Sequence, residues 1–210
     1  MPQYTLHYFQ MRGLGELCRQ IFALAEVEFE DKRYEMDKEW PAFKSQTPFG
    51  QLPVLEVDGK FIPQLYAHCR MLATEFGFAG KTPFEAAWVD AIADQHKDFY
   101  WGDFKKFWWR ALHATEGDLV LDELTVTFGI PERDKFFPHI ERQLKETGSG
   151  FLVGDSVTWA DVLISEHVSV IERVVPGFLD AYPETKAHAD RIQAIPQIAQ
   201  WIERRPKTAH

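Results

Sequence analysis

Cysteine is scarce: Cys18 and Cys69 are the only two among 210 residues. Both fall in helical patterns without CxxC spacing, which argues against a disulfide framework and reads as two small buried hydrophobes. No apolar run approaches the length needed to span a membrane. Positive charge is also short. The 23 Lys and Arg face 32 Asp and Glu, a net charge of −9 at pH 7, and with no basic stripe a general nucleic-acid surface is not expected. The eight histidines form no HExxH and no paired ligand spacing, and "AHCR" is a single His-Cys step, so no metal site is expected. There are no internal repeats and no low-complexity tracts. The opening MPQYTLHYF moves directly into a strand-like pattern without a charged-then-apolar leader. Together with the cysteine usage, this points to a reducing, cytoplasmic setting.

What is present is strongly patterned. In YTLHYF, Tyr4, Leu6 and Tyr8 alternate with Thr5, His7 and Phe9, which predicts a strand. GELCRQIFALAEV follows with Leu17, Ile21, Leu24 and Ala25 at helical spacing. EFEDKRYE reads as a second, shorter strand, and DKEWPAFKSQ as a short irregular helix. QLPVLEVDGKFIP reads as two strands joined at Asp58-Gly59, a pair suited to a two-residue hairpin. A helix from about 64 to 76 closes the unit. A strand-helix-strand crossover implies a parallel pair and the hairpin an antiparallel one, a thioredoxin-like arrangement. GFAGKTP resembles a linker. Beyond it, helical patterns fill about 84 to 113, 119 to 147, 158 to 174, 184 to 194 and 197 to 204. Thr158 and Asp161 suit a helix N-cap, and Pro183 and Pro196 suit first turns. The expected division is 1–77, an α/β domain, and 84–210, an all-helical one.

These words in this order resemble the cytosolic glutathione S-transferases along essentially the whole chain. YTLHYFQMRGLGE is similar to the sigma-class opening, TPFGQLPVLEVDGK to that family's glutathione-binding stretch and hairpin, GFLVGDSVTWADV to its C-terminal capping segment, and IQAIPQIAQWIERRP to its last helices. Nematode sigma-like members look nearest, with haematopoietic prostaglandin D synthases as cousins. The resemblance implies a detoxifying transferase that holds glutathione as co-substrate and attaches its sulfur to hydrophobic electrophiles. It also implies a homodimer, with Phe49 at the contact between subunits.

The resemblance assigns roles residue by residue. Tyr8, at the exit of the first strand, matches the tyrosine that donates to the glutathione sulfur; packing on the sheet is the alternative for an aromatic there. Leu52 and Pro53 match the cis-proline corner, where the Leu52 backbone pairs with the cysteinyl part of the tripeptide. Trp40 and Lys44 match positions beside the glycyl carboxylate, unless they are merely exposed helix residues. Gln51 and Gln64 match hydrogen-bonding positions along the tripeptide. Asp98 matches an acid that reaches the γ-glutamyl ammonium bound to the partner subunit, the alternative being a solvated carboxylate. Phe9, Met11 and Leu14 with Tyr100, Trp101, Phe104 and Trp108 are candidates for the electrophile pocket, or for inter-helix core. Leu14 and Lys105 stand where the prostaglandin synthases have arginine and tryptophan, so that isomerisation is not expected. Leu65 is the main departure: the family places Gln-Ser where this chain has Gln64-Leu65. A weakened glutathione site is therefore expected. A non-catalytic member of the fold remains the alternative: a crystallin-like structural protein, a ligandin-like binder or an engineered scaffold.

Overall fold

The computed structural model describes residues 2–115 and 118–208. The chain forms two compact units, Met1–Ala79 with Ala194–His210, and Gly80–Gln193. The first is built on a four-stranded sheet. Strand β1 (Tyr4–Phe9) is followed by helix α1 (Gly15–Leu24), β2 (Glu30–Tyr34), a single turn α2 (Trp40–Phe43), β3 (Val54–Val57), β4 (Lys60–Pro63) and α3 (Leu65–Phe76). The spatial order is β2-β1-β3-β4, with β1 and β2 parallel and the other neighbours antiparallel. Asp58 and Gly59 take φ of 48° and 78°, the two positive values that a tight hairpin of native twist requires.

Alternation along β1 decides which face receives which cover. Tyr4 packs on Phe22 of α1 at 5.2 Å and Phe76 of α3 at 6.0 Å between ring centroids. On the opposite face His7 stacks on Phe43 of α2 at 5.1 Å. β1 is thus buried on both faces, whereas β2, with the polar sequence EDKRY, forms an edge. The last helix, α10 (Pro196–Arg204), packs on α1. There the buried Glu16 carboxylate accepts from the Trp201 indole at 2.7 Å and the Arg205 guanidinium at 2.6 Å. Residues from 194 onward therefore group with the sheet, although the sequence division places them in the helical segment.

The second unit holds α4 (Pro83–Trp101), α5 (Phe104–Ala111), α6 (Leu119–Leu124), α7 (Ile130–Thr147), α8 (Trp159–Val174) and α9 (Pro183–Gln193). Two long helical patterns are interrupted. The stretch expected as one helix over 84–113 breaks at Gly102, where a Cβ would lie 2.7 Å from the Asp98 carbonyl oxygen. The stretch over 119–147 is interrupted by a π turn at Thr125–Gly129. Pro131 lies just beyond this turn; it has no N–H to continue the α ladder backward, and a wide turn absorbs the missing bond. α8 is buried on nearly every side and forms the unit's centre.

Candidate functional site

The sheet register brings three separate segments of the first unit to one end. Val54 pairs with His7 on one side and Pro63 on the other. The residues just past these pairs therefore lie together: Tyr8 leaving β1, Leu52-Pro53 entering β3, and Gln64-Leu65 leaving β4 for α3. The Leu52–Pro53 peptide is cis.

Tyr8 is buried, and its hydroxyl oxygen accepts the Leu14 amide at 3.1 Å. Accepting uses a lone pair and leaves the hydroxyl proton for donation. Burial raises the Tyr8 pKa, while the Leu14 amide and the Arg19 charge pull it down. The net rise keeps Tyr8 a neutral donor near neutral pH.

Two glycines enclose this ring. A Cβ on Gly13 would sit 2.6 Å from the Tyr8 hydroxyl oxygen, and one on Gly15 would sit 2.7 Å from its Cδ1. Gly13 also takes φ of +42°, a conformation side chains rarely adopt. Beneath the loop, the Arg19 guanidinium donates to the Met11 carbonyl at 2.9 Å and the Arg12 carbonyl at 3.2 Å. It also pairs with Asp31 at 2.9 Å and lies 5.8 Å from the Tyr8 ring centroid. Sequence reasoning missed these three residues. The available signals were a Gly-x-Gly directly after a strand, and an arginine on an otherwise apolar helix face.

The start of α3 differs from ordinary helix starts. Gln64 has φ of 77° and ψ of 115°, and no side chain caps the helix. A non-glycine residue with such angles stores roughly 1–3 kcal/mol. Its carbonyl accepts from the Ala67 and His68 amides, and its side chain is exposed. The Leu65 side chain is 6% exposed and belongs to the core, so this position offers an anion its backbone N–H and not a side-chain donor.

The remaining predicted residues vary in accessibility. Trp40 is half-buried, its ring edge-on to Phe9 at 5.7 Å. Lys44, Gln51 and Gln64 are exposed, Leu52 is half-buried and Pro53 is buried. Phe9, Met11 and Leu14 are half-buried around the Tyr8 loop. Phe49 is 63% exposed. In the helical unit, Asp98 and Trp101 are exposed and Tyr100 is half-buried. Phe104 and Trp108 give a different picture. Both are buried, stacked on each other at 5.9 Å and edge-on to His167 at 5.8 Å. Rings enclosed in this way match the inter-helix core, the alternative given for them above. Among the described residues no group of His, Cys, Asp or Glu has the arrangement of a metal centre. No described helix is long and apolar enough to cross a membrane.

Comparisons with known proteins bear on this geometry. The family model for the glutathione S-transferase N-terminal domain matches residues 4–74, and that for the C-terminal domain matches residues 102–205. The chain is 45% identical to glutathione S-transferase 1 of Ascaris suum, covering 100% of both. It is 39% identical to the haematopoietic prostaglandin D synthase of Gallus gallus, again covering 100% of both. A solved glutathione S-transferase of the hookworm Necator americanus, described as monomeric, superposes with a TM-score of 0.91 at 48% identity, over 98% of each chain.

Proposed function

The chain belongs to the glutathione S-transferase family and is a glutathione transferase, and we propose that Tyr8 drives its reaction by donating its hydroxyl proton to the glutathione sulfur. A free thiol of this kind has a pKa of about 8.5, so little of it is thiolate at neutral pH. A hydrogen bond to the charged form contributes about 1.5–3 kcal/mol, which lowers the thiol pKa by about one to two units. The thiolate then forms the new sulfur–carbon bond with an electrophile.

The other roles follow from the same end of the sheet. The backbone amides of Gln64-Leu65 meet the γ-glutamyl carboxylate, and without a hydroxyl at position 65 this grip is weaker than a serine would give. The Leu52 backbone, presented at the corner before Pro53, pairs with the cysteinyl part. Gln51 and the Gln64 side chain bond along the tripeptide, and Trp40 and Lys44 face the glycyl carboxylate. Phe9, Met11 and Leu14, half-buried beside Tyr8, supply apolar surface for a hydrophobic electrophile. In the helical unit Tyr100 and Trp101 offer accessible apolar surface, and Asp98 an exposed carboxylate for an ammonium bound to a partner subunit. With Leu14 and Lys105 in place, prostaglandin isomerisation is not proposed. A cytoplasmic two-fold homodimer completes the reading, supported by the exposed Phe49.

The observation that carries the proposal is the Leu14 amide on the Tyr8 oxygen, at the same sheet end as the uncapped start of α3. Tyr8→Phe should lower the conjugation rate roughly 10- to 150-fold while leaving glutathione affinity nearly unchanged, the rate equivalent of that lost bond. Spectroscopic titration of the bound thiol should show its pKa rising toward the free value. An unchanged thiol pKa in the variant would mean that another group activates the sulfur.

A further inference from the structure

Behind the Tyr8 end of the sheet, α1 and α3 bring together three reactive side chains that the transfer reaction does not use. Cys18, Cys69 and His68 are all fully buried. Cys18 on α1 and Cys69 on α3 face each other across the packed helices, close enough for each thiol to shift the other's pKa. His68, the residue before Cys69 on α3, also reaches Cys18. Its Nε2 lies 2.7 Å from the Ile62 carbonyl oxygen, and a carbonyl only accepts, so Nε2 carries the proton. In the neutral ring Nδ1 is therefore an unprotonated acceptor, and it lies 3.9 Å from Cys18 Sγ. Small buried hydrophobes need no such alignment. A base and a second thiol both beside one thiol are what activates a cysteine and then resolves its oxidation. The Cys69 thiol brings the Cys18 thiol down to about 6, with burial opposing and His68 and Arg19 assisting. Burial, and then the Cys18 interaction, push the Cys69 thiol up.

We propose that Cys18 and Cys69 are a reversible oxidation site, converted by hydrogen peroxide into an intramolecular disulfide that ties α1 to α3. Cys18 yields its proton to His68 Nδ1, and its sulfur attacks one peroxide oxygen. The O–O bond breaks, Cys18 becomes a sulfenic acid, and the departing oxygen takes the proton from His68 to leave as water. The Cys69 sulfur then displaces the sulfenic oxygen, which departs with the Cys69 proton as a second water. Two thiols are oxidised and one peroxide is reduced. Neither cysteine has any exposure, so a bulky disulfide reagent is shut out, whereas peroxide is water-sized and enters through local opening. The tie lies close to the catalytic end: Cys18 is one helical turn past Leu14, and Cys69 one turn past Leu65.

Peroxide treatment of the intact reduced protein, followed by denaturing alkylation, digestion and mass spectrometry, tests this directly. The expected result is a linked Cys18–Cys69 peptide within one chain and the loss of two hydrogens, both reversed by dithiothreitol. Cys69→Ala should halt at a Cys18 sulfenic acid, captured by dimedone present as the chain is denatured. His68→Gln should slow the linkage roughly 10-fold or more, as expected for a lost base. Met36, 51% exposed, serves as an internal control, since its sulfoxide reports that peroxide acted. The proposal is overturned if the natural chain shows Met36 oxidised while both thiols stay free. It is equally overturned if Cys18 passes to sulfinic acid without linkage, or if the link joins two chains.

Discussion

At Leu65 one residue performs two tasks with opposite signs. Its backbone N–H belongs to an uncapped helix start that suits a carboxylate, while its side chain is buried in the sheet unit. Leu65→Ser should therefore tighten glutathione binding by roughly 10-fold or more, the equivalent of one charge-assisted hydrogen bond. The same change should destabilise the fold by about 2–3 kcal/mol through lost apolar burial. Calorimetric titration and a thermal melt of both proteins measure the two effects. Equal affinities would show that a hydroxyl at position 65 does not reach the ligand. Tyr8 likewise depends on its surroundings: a side chain at position 13 or 15 would occupy the space its ring takes.

Among the elements, α8 depends most on one residue. The Asp161 carboxylate accepts from the Thr158 amide at 2.7 Å, the Thr158 hydroxyl at 2.7 Å, the Leu152 amide at 2.8 Å and His188 Nε2 at 2.8 Å. It completes a capping box and also joins the preceding loop and α9 to the first turn of α8. Asp161→Ala would leave these buried donors without their acceptor, each costing about 1–3 kcal/mol. A net loss of about 3 kcal/mol would lower Tm by roughly 6–12 °C for a chain of this size. Circular dichroism melts measure it, and an unshifted Tm would show that water replaces the carboxylate.

At the scale of the whole molecule, acid and assembly are the two tests. His96 Nε2 lies 2.6 Å from His167 Nδ1 inside the helical core. Burial pushes His96 down to about 3 and His167 well below its ordinary value, the latter also through the proximity of His96. The folded state therefore binds fewer protons than the unfolded chain over the window from about 3 to about 6.5. Stability is fully present above the unfolded value and is lost as pH falls through the window, at about 1.4 kcal/mol per pH unit for each such histidine. Denaturant titrations at about pH 7 and about pH 5 should differ accordingly, and His167→Phe should flatten the difference. Equal stability at the two pH values would show that the pair takes up protons in the folded state.

Assembly is tested by light scattering over a broad concentration range. Twice the chain mass is expected, and a single-chain mass, as described for the Necator americanus relative, would remove the role proposed for Asp98.

The sequence alone was sufficient for the strand-helix-strand crossover, the Asp58-Gly59 hairpin, the Thr158 cap and the end of the sheet to which Tyr8 belongs. Each is written in periodicity or turn chemistry over a few neighbouring residues, where local sterics dominate. Only tertiary structure decided that Phe104 and Trp108 are core, that α10 joins the sheet unit, and that Gly13, Gly15 and Arg19 shape the Tyr8 loop. It also decided that Cys18, Cys69 and His68 meet. Cys18 and Cys69 are separated by 51 positions, and Glu16 and Trp201 by 185. Contacts of that kind arise from the packing of whole faces, which no local pattern encodes.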